Sequence, residues 1–361
     1  MTADATEGGL RGTAFGGEDR VLVLGGTGFI GGHVVRALLE AGRPVAVLAR
    51  GGRTAPTGAE LIVADRRDVE GMARAISGRR FAFTVDLSAY DAPDIENLML
   101  VPYAVTGPCL MISTGQVYLV TGNTHMPYRE EDSEAAVMPE PEPGTSNHAN
   151  WVYGVGKRRA ERALLSLRAT HGVRATIFRI PVVVGTHDTS LRLWGYLERM
   201  LDGGPIVLPD GGRRILRFIH AADVAGAVLR LVNGLQLREA VYNLCQPDFI
   251  SLREFLESVA KAAGCEPRFE DASWDEIEAA GIDRWFTPYG GRWVSVLDPA
   301  RAGAEFGFLG ARVPEYLPGV VRWHLENRPA QSHPGYAERG KELALAQVLR
   351  ERALTVPGPG S

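Results

Sequence analysis

The fold of this chain can be inferred from eleven residues near its start, Val21-Leu22-Val23-Leu24-Gly25-Gly26-Thr27-Gly28-Phe29-Ile30-Gly31. Its first four apolar residues predict a buried strand, and apolar positions at helical spacing predict a helix over Gly28–Glu40. Gly25 permits a tight turn, Gly28 lets the backbone approach a pyrophosphate, and Gly31 lets the helix pack on the sheet. The helix N-terminus then offers amide donors to phosphate groups. This βα unit predicts a dinucleotide-binding fold.

The alternation of strand and helix continues along the chain. Further strands are expected at Val45–Leu48, Leu61–Ala64, Phe81–Leu87, Cys109–Ile112 and Ala175–Ile180. Helices are expected between them at Val69–Ile76, Ile95–Val105 and Val152–Thr170. Apolar strands separated by helices are typical of a parallel sheet covered on both faces, with right-handed crossovers. The expected fold class is therefore α/β, a doubly wound parallel Rossmann-type sheet with a smaller, α-rich C-terminal substrate lobe.

Changes in composition and apolar periodicity along the sequence divide the chain into segments. Residues 1–19 are expected to form a disordered leader, and residues 20–186 an NAD(P)-binding domain with a returning segment at about 217–245. The substrate lobe is expected over 187–216 and 246–328, and a C-terminal helix and tail over 329–361. The acidic, proline-rich segment 123–150 is expected to be a long surface loop.

The composition excludes several classes of protein. With 39 Lys and Arg against 43 Asp and Glu, the formal net charge of −4 argues against a nucleic-acid or membrane-surface binder. Cys109, Cys245 and Cys265 are too few and too widely spaced for a disulfide framework or a thiolate zinc site. The histidines lack metal-ligand spacing, so no metal site is expected. No apolar run reaches about 18 residues, and a soluble cytoplasmic protein is expected.

The end of the second strand indicates the cofactor. Ala49 stands where an acidic residue would bind the ribose hydroxyls of NAD, and Arg50 and Arg53 follow. Since a guanidinium favours a 2′-phosphate, NADP(H) is the expected cofactor, with NAD as the alternative. Asp65 is expected to meet the adenine amino group. Leu87-Ser88-Ala89 offers small residues where the backbone passes the cofactor.

Tyr153 and Lys157 lie four residues apart on a predicted helix and therefore share a face. A tyrosine with its ordinary pKa of about 10 is a poor acid–base catalyst near neutrality. A nearby ammonium stabilises the phenolate and lowers that pKa. The chain has only three lysines, Lys157, Lys261 and Lys341, so a lysine at this position is informative.

Ser113 and Thr114 end the predicted fifth strand. Open α/β sheets bind ligands at the carboxyl edge of their strands. A hydroxyl there can hold a carbonyl or alcohol oxygen of a substrate beside the tyrosine. Both residues qualify chemically.

Five segments together resemble an extended short-chain dehydrogenase/reductase, in the NAD(P)-dependent epimerase/dehydratase superfamily. They are Gly25–Gly31, Ser113–Tyr118, Tyr153…Lys157, Arg179-Ile180-Pro181 and Arg217-Phe218-Ile219-His220…Asp223. The resemblance covers roughly residues 20–260. Its motifs are specific for the superfamily and leave the substrate open.

The resemblance implies roles for single residues. The catalytic hydroxyl of the family lies four residues before the tyrosine of a Val-Tyr pair, which favours Thr114 here. Tyr153 would move the proton, and Lys157 would bind the nicotinamide ribose and lower the pKa of the tyrosine. The residues expected to contact the cofactor are Gly25, Thr27, Gly28, Phe29, Ile30, Gly31, Arg50, Arg53, Asp65, Arg66, Leu87, Ser88, Ala89, Ser113, Tyr153, Lys157, Ile180 and Val182.

The chain departs from the family pattern at three places. Sugar-nucleotide dehydratases have Asp-Glu after the catalytic threonine, where this chain has Gly115-Gln116. Nucleotide-sugar enzymes have an asparagine after the sixth strand, where this chain has Val182-Val183-Val184. They also have an arginine at the position of Leu216; Arg217 lies one residue further on, and Arg213 or Arg214 is an alternative. A dehydratase is therefore disfavoured, and a nucleotide-sugar substrate is weakened.

The sequence predicts an NADP(H)-dependent oxidoreductase that acts on a ketone or secondary alcohol of a polar, sugar-like or natural-product substrate. The alternative is a sugar or nucleotide-sugar epimerase that retains its cofactor. A third hypothesis is a silent dinucleotide sensor or RNA-associated scaffold, against which the Thr/Tyr/Lys set and the acidic charge argue. The expected partner is a small-molecule substrate, without nucleic acid or membrane, and relatives suggest a homodimer.

Overall fold

The computed structural model describes residues 20–101, 106–123 and 125–355. The expected leader 1–19 and the last residues of the expected tail lie outside the described residues. The end of the expected helix Ile95–Val105 lies there too.

Strands and helices alternate as the sequence predicts through the first half of the chain. The strands in the described residues are β1 (Val21–Leu24), β2 (Val45–Ala49), β3 (Glu60–Val63), β4 (Phe83–Asp86), β5 (Cys109–Thr114), β6 (Ala175–Ile180), β7 (Val183–Val184), β8 (Ile206–Pro209), β9 (Ile215–Leu216), β10 (Ile219–His220), β11 (Val241–Asn243), β12 (Ile250–Ser251) and β13 (Phe269–Ala272). The α-helices are α1 (Phe29–Glu40), α2 (Val69–Ile76), α3 (Ala92–Met99), α4 (Gln116–Leu119), α5 (Ser146–His171), α6 (Arg192–Leu201), α7 (Ala221–Val232), α8 (Leu252–Ala263), α9 (Trp274–Ala279), α10 (Ala300–Phe306), α11 (Val313–Glu326) and α12 (Arg339–Thr355).

The central sheet has seven strands in the order β11-β6-β5-β4-β1-β2-β3, and all of its pairings are parallel. The carboxyl ends of these strands therefore meet at one edge. The strand order reverses between β1 and β4, which is where doubly wound sheets bind ligands. The expected doubly wound α/β fold is confirmed.

Two elements differ from the sequence prediction in ways that shape the site. Helix α5 begins at Ser146 rather than at residue 152, because the Thr145 side chain accepts a hydrogen bond from the His148 amide and caps it. The expected loop is correspondingly shorter. The returning segment supplies β11, a strand that apolar periodicity did not mark because it has only three residues.

The two faces of the sheet bury different helices. Val21 and Val23 point into a core with α1 and α7, whereas Leu22 and Leu24 point to the opposite side, towards α2. This alternation is the ordinary pleat of a strand that is buried on both faces. Helix α10 packs back onto the first of these cores, beside Phe178.

The C-terminal lobe has its own core, formed mainly by α6, α8 and α11. Helix α12 is fixed to this lobe by a buried ion pair, in which Arg199 Nε lies 2.9 Å from Glu342 Oε2. The other carboxylate oxygen of Glu342 accepts the Val207 amide at 3.1 Å. No helix in the described part of the chain is long and apolar enough to cross a membrane.

Candidate active site

A cavity of about 540 Å³ lies at the carboxyl edge of the sheet, between the sheet and the C-terminal lobe. Phe29 and Ile30 from the start of α1 form one wall, and Thr114 at the end of β5 forms another. Tyr153 and Lys157 on α5 complete the wall next to the sheet. The expected catalytic residues are thus brought together at one place.

The glycine loop between β1 and α1 requires glycine at Gly25 and Gly31. Gly25 has φ of +83°, a left-handed conformation that favours glycine. A Cβ at Gly31 would lie 2.2 Å from the Gly25 carbonyl oxygen. The helix therefore packs directly on the turn, and Thr27 and Gly28 remain partly accessible above it. This cradle of backbone at a helix N-terminus fits the phosphates of a dinucleotide.

Lys157 is buried with its ammonium group against the sheet edge. Its Nζ donates hydrogen bonds to the carbonyls of Ala89 and Ile112, each at 2.8 Å. Burial lowers the pKa of Lys157 to about 8, although the nearby carboxylates of Asp86 and Glu161 oppose this shift. The amine is therefore charged below about pH 8 and loses its proton as the pH rises through that value.

Two glycines in α5 let the helix lie this close to the sheet edge. A Cβ at Gly154 would lie 2.5 Å from Val120 Cγ1, and a Cβ at Gly156 would lie 2.5 Å from the Tyr90 carbonyl oxygen. Any larger residue at either position would push the helix outward and withdraw Lys157 from its carbonyl partners.

Tyr153 borders the cavity beside Thr114. The residue is 37% exposed along the cavity, but its hydroxyl lies deep enough for burial to raise its pKa to about 12. A hydrogen bond from Thr114 opposes this shift, and so does the positive charge of Arg192. The phenol is thus fully protonated at neutral pH, as a proton donor requires.

Ser113 and Thr114 point to opposite faces of β5, as neighbouring strand residues do. The Ser113 hydroxyl donates to the buried carboxylate of Glu161. That carboxylate also pairs with Arg179, whose Nη2 lies 2.6 Å from Glu161 Oε2. The Ser113 hydroxyl is therefore engaged in a buried network, and the Thr114 hydroxyl is the one beside Tyr153.

The residues expected to select the cofactor lie in two different environments. Arg50 and Arg53 are exposed and make no ion pair with any described residue. Asp65 is also exposed, and its carboxylate accepts the Arg67 amide at 2.9 Å. Arg66 differs, because its guanidinium makes hydrogen bonds of 2.9 and 2.8 Å to the two oxygens of the buried Asp86.

Of the other expected cofactor contacts, Ser88 touches this ion pair and three more line the cavity. Ser88 Oγ lies 3.1 Å from Arg66 Nη1, so both side chains belong to one partly buried cluster. Leu87, Ile180 and Val182 line the cavity. Arg66 is expected at the cofactor from the sequence, and its acidic partner comes from β4, which sequence proximity does not reveal.

The lobe side of the cavity contains residues that the sequence did not single out. They are Asp188, Arg192, Arg284 and Arg292; the aromatic residues Trp285 and Trp293 line the same side. Neither Arg213 nor Arg214, the expected substitutes for a diphosphate-binding arginine, is among the residues that line it. Arg217 donates to the Leu297 carbonyl at 2.7 Å and is buried away from the cavity.

The fold and these side chains define a class of protein. A doubly wound sheet with a glycine cradle, and with Thr114, Tyr153 and Lys157 at its carboxyl edge, is the arrangement of a dinucleotide-dependent enzyme of the short-chain dehydrogenase type. The chain belongs to the NAD dependent epimerase/dehydratase family, whose model matches residues 21–245.

Curated relatives of this chain have different functions. The chain is 26% identical over 357 residues to a 2'-dehydrokanamycin reductase of Streptomyces kanamyceticus, covering 94% of this chain and 93% of the relative. It is 25% identical over 264 residues to the chloroplast stem-loop binding protein of 41 kDa b of Arabidopsis thaliana, covering 68% of this chain and 64% of the relative.

A solved structure confirms the fold. A dTDP-glucose 4,6-dehydratase from Bacillus anthracis in complex with NAD superimposes with a TM-score of 0.67 and 17% identity. The alignment covers 88% of this chain and 99% of the dehydratase.

Replacing the hydroxyl of Ser113 should mainly lower stability, whereas replacing that of Thr114 should mainly lower turnover. Ser113→Ala removes a donor to the buried Glu161 and should lower the free energy of unfolding by about 1–3 kcal/mol while leaving turnover near wild type. Thr114→Val should cost less stability but lower kcat about 10²–10³-fold, as loss of a donor to a reacting oxygen does. Thermal unfolding and dinucleotide oxidation with a panel of carbonyl compounds measure both effects. The reverse pattern would assign the substrate-facing hydroxyl to Ser113.

Proposed function

We propose that this protein is an NADP(H)-dependent reductase acting on a ketone of a polar, sugar-like or natural-product substrate. The observation that carries the proposal is the set of Thr114, Tyr153 and Lys157 at the wall of a cavity beside the glycine cradle. The similarity to a 2'-dehydrokanamycin reductase over nearly the whole length of both chains supports a reductase. A cytoplasmic location and a homodimer stay predictions.

In the proposed reaction the residues of the chain hold one oxygen and move one proton. Thr114 and Tyr153 donate hydrogen bonds to the ketone oxygen, and Tyr153 passes its proton to that oxygen as the alcohol forms. Lys157 would hold the nicotinamide ribose, and its positive charge would stabilise the phenolate that Tyr153 becomes. The cofactor, when bound, supplies the hydride.

The surroundings of Thr114 support a reductase over a dehydratase. Asp188 is the only carboxylate among the described residues that line the cavity, and it lies on the lobe side. A Cβ at Gly115 would lie 2.0 Å from Ser295 Oγ, so no acid fits at that position. The Gln116 side chain is engaged with Asn150 at 2.9 Å. Elimination of water needs a second acid–base group, which these positions do not supply.

The proposed preference for NADP(H) depends on the end of β2. Arg50 and Arg53 are exposed cations without an ion-pair partner among the described residues, so both are available to a 2′-phosphate. The name of the Arabidopsis relative suggests a second candidate, an RNA-associated role. The net charge of −4 disfavours this role for the present chain.

Replacing the proposed proton donor should remove turnover without removing cofactor binding. Tyr153→Phe should lower kcat about 10²–10⁴-fold, because proton transfer by a positioned group contributes that much. The matched control is Tyr90→Phe, since the Tyr90 ring lies 6.2 Å from the Tyr153 ring and also lines the cavity. The control should keep wild-type kcat, and both variants should bind NADPH as the wild type does. Substantial turnover by Tyr153→Phe would refute the mechanism.

The role of Arg50 is tested by comparing the two cofactors. Arg50→Ala should weaken NADPH about ten- to hundredfold, the value of a charge-assisted hydrogen bond, and should weaken NADH much less. Arg74→Ala is the control, because Arg74 is an exposed arginine of α2 that pairs with Glu70. Dissociation constants from cofactor fluorescence measure the effect. Equal weakening of both cofactors would refute the assignment.

The epimerase alternative predicts a different state of the purified protein. An epimerase oxidises and re-reduces one carbon, so its cofactor never has to leave the site. The purified protein is incubated with added NADPH and then denatured, and the released nucleotides are analysed. For a reductase, any cofactor that was bound at the start should have exchanged with the added NADPH. Stoichiometric NAD⁺ that does not exchange would favour the epimerase instead.

A further inference from the structure

Three arginines line the lobe side of the cavity. Arg192 is the first residue of α6, and Arg284 and Arg292 come from the segment between α9 and α10. The same wall contains a single carboxylate, Asp188, whose Oδ1 accepts the Ser190 amide at 2.8 Å. The charged groups that line this wall are therefore mainly cationic.

The three arginines differ in whether the protein neutralises them. Arg284 forms an ion pair with Glu278. Arg292 lies over the Trp293 ring, with its guanidinium carbon 4.9 Å from the ring centroid, and has no carboxylate partner among the described residues. Arg192 likewise has no ion-pair partner in the described part of the chain. Two guanidinium groups at the cavity wall are thus available to a ligand.

The chemistry of a guanidinium indicates what it binds. Its planar fork of donors matches a carboxylate or phosphate group in two parallel hydrogen bonds. A cleft lined by one sign of charge concentrates ligands of the opposite sign and repels those of the same sign. A substrate with several ammonium groups would meet repulsion at this wall, whereas an anionic substrate would meet attraction.

One of these arginines lies near Tyr153, the residue that would contact the reacting oxygen of the substrate. Arg192 is close enough to Tyr153 for its charge to act on the phenol. The positions at which nucleotide-sugar enzymes hold a diphosphate contain Val182 and Leu216 here, and Arg217 is bound to the Leu297 carbonyl. The available cations are therefore a different set, contributed by the C-terminal lobe.

We propose that the substrate is an anionic carbonyl compound whose carboxylate or phosphate group is bound by Arg192 and Arg292. This inference rests on the proposed reductase function and specifies the charge of its substrate. Arg192 sets the distance between the anionic group and the carbonyl that Tyr153 contacts. Arg292 is held against Trp293 and supplies the second guanidinium group that binds the anion.

Matched ketones test the charge preference. The carboxylate probe is 4-oxocyclohexanecarboxylate, compared with neutral cyclohexanone and cationic 4-aminocyclohexanone, and dihydroxyacetone phosphate is compared with dihydroxyacetone. Binding is measured by quenching of tryptophan fluorescence, since Trp285 and Trp293 line the cavity. The preferred anion should bind at least about tenfold more tightly than its neutral counterpart. The comparison between the two anions distinguishes a carboxylate site from a phosphate site.

Arginine variants identify the groups responsible. Arg192→Ala and Arg292→Ala should each lower the preference for the anion about tenfold, and Arg192→Lys should restore part of it. Arg213→Ala is the control, because Arg213 is an exposed arginine of the same lobe that does not line the cavity. Thermal unfolding verifies that each variant is folded.

The possible outcomes separate this inference from the proposed function. Tight anion binding that depends on Arg192, without reduction of any ketone, would support the anion site and contradict the reductase. Reduction of neutral and cationic ketones as efficiently as the anionic ones would support the reductase and overturn the anion site. A preference that survives in the Arg192→Ala, Arg292→Ala double variant would overturn it as well, and so would the failure of both anions to bind.

Discussion

The hydrogen bonds of the buried Lys157 ammonium are the interaction on which the site depends. Its two carbonyl partners are Ala89, three residues after the end of β4, and Ile112, within the neighbouring strand β5. Helix α5 therefore cannot slide along the sheet without leaving a buried charge and two carbonyls unpaired, which is strongly unfavourable. Tyr153 lies one helical turn before Lys157, so its place beside Thr114 follows from this contact. The close packing at Gly154 and Gly156 makes the contact geometrically possible.

A second buried contact one turn further along α5 makes the arrangement rigid. Glu161 accepts from Ser113 and pairs with Arg179, which also donates to the Tyr118 hydroxyl at 2.8 Å. Three successive turns of one helix thus contact the ends of β5 and β6. Glu161 also keeps a negative charge near Lys157, which limits the loss of charge that burial causes. A site supported in this way holds its hydroxyl, phenol and ammonium groups in fixed relative positions.

The sequence predicts those parts of the structure whose signal is local. Strand and helix periodicity gives the sheet, and four-residue spacing places Tyr153 and Lys157 on one face of α5. Contacts between distant residues leave no such signal. Nothing near Arg66 in the sequence, for example, reveals its pairing with Asp86. The choice between Ser113 and Thr114 depends on which face of β5 each side chain takes, and the acidic partner of Ser113 lies on another element. Arg192, Arg284 and Arg292 were missed because only the folded chain brings them to one wall.

One close contact links the placement of Arg292 at the cavity wall to the absence of an acid after Thr114. The family match ends at residue 245, so the segment that contains Arg292 and Trp293 lies beyond it. This segment contacts the catalytic strand end through Ser295, whose hydroxyl occupies the space that a side chain at residue 115 would need. An acid at that position would displace Ser295 and with it the segment that contains Arg292. Glycine at this position therefore removes the acid that elimination requires and at the same time allows the arginine-containing segment to close the cavity. The proposed reaction type and the proposed charge of the substrate are then not independent, because both depend on the same close contact.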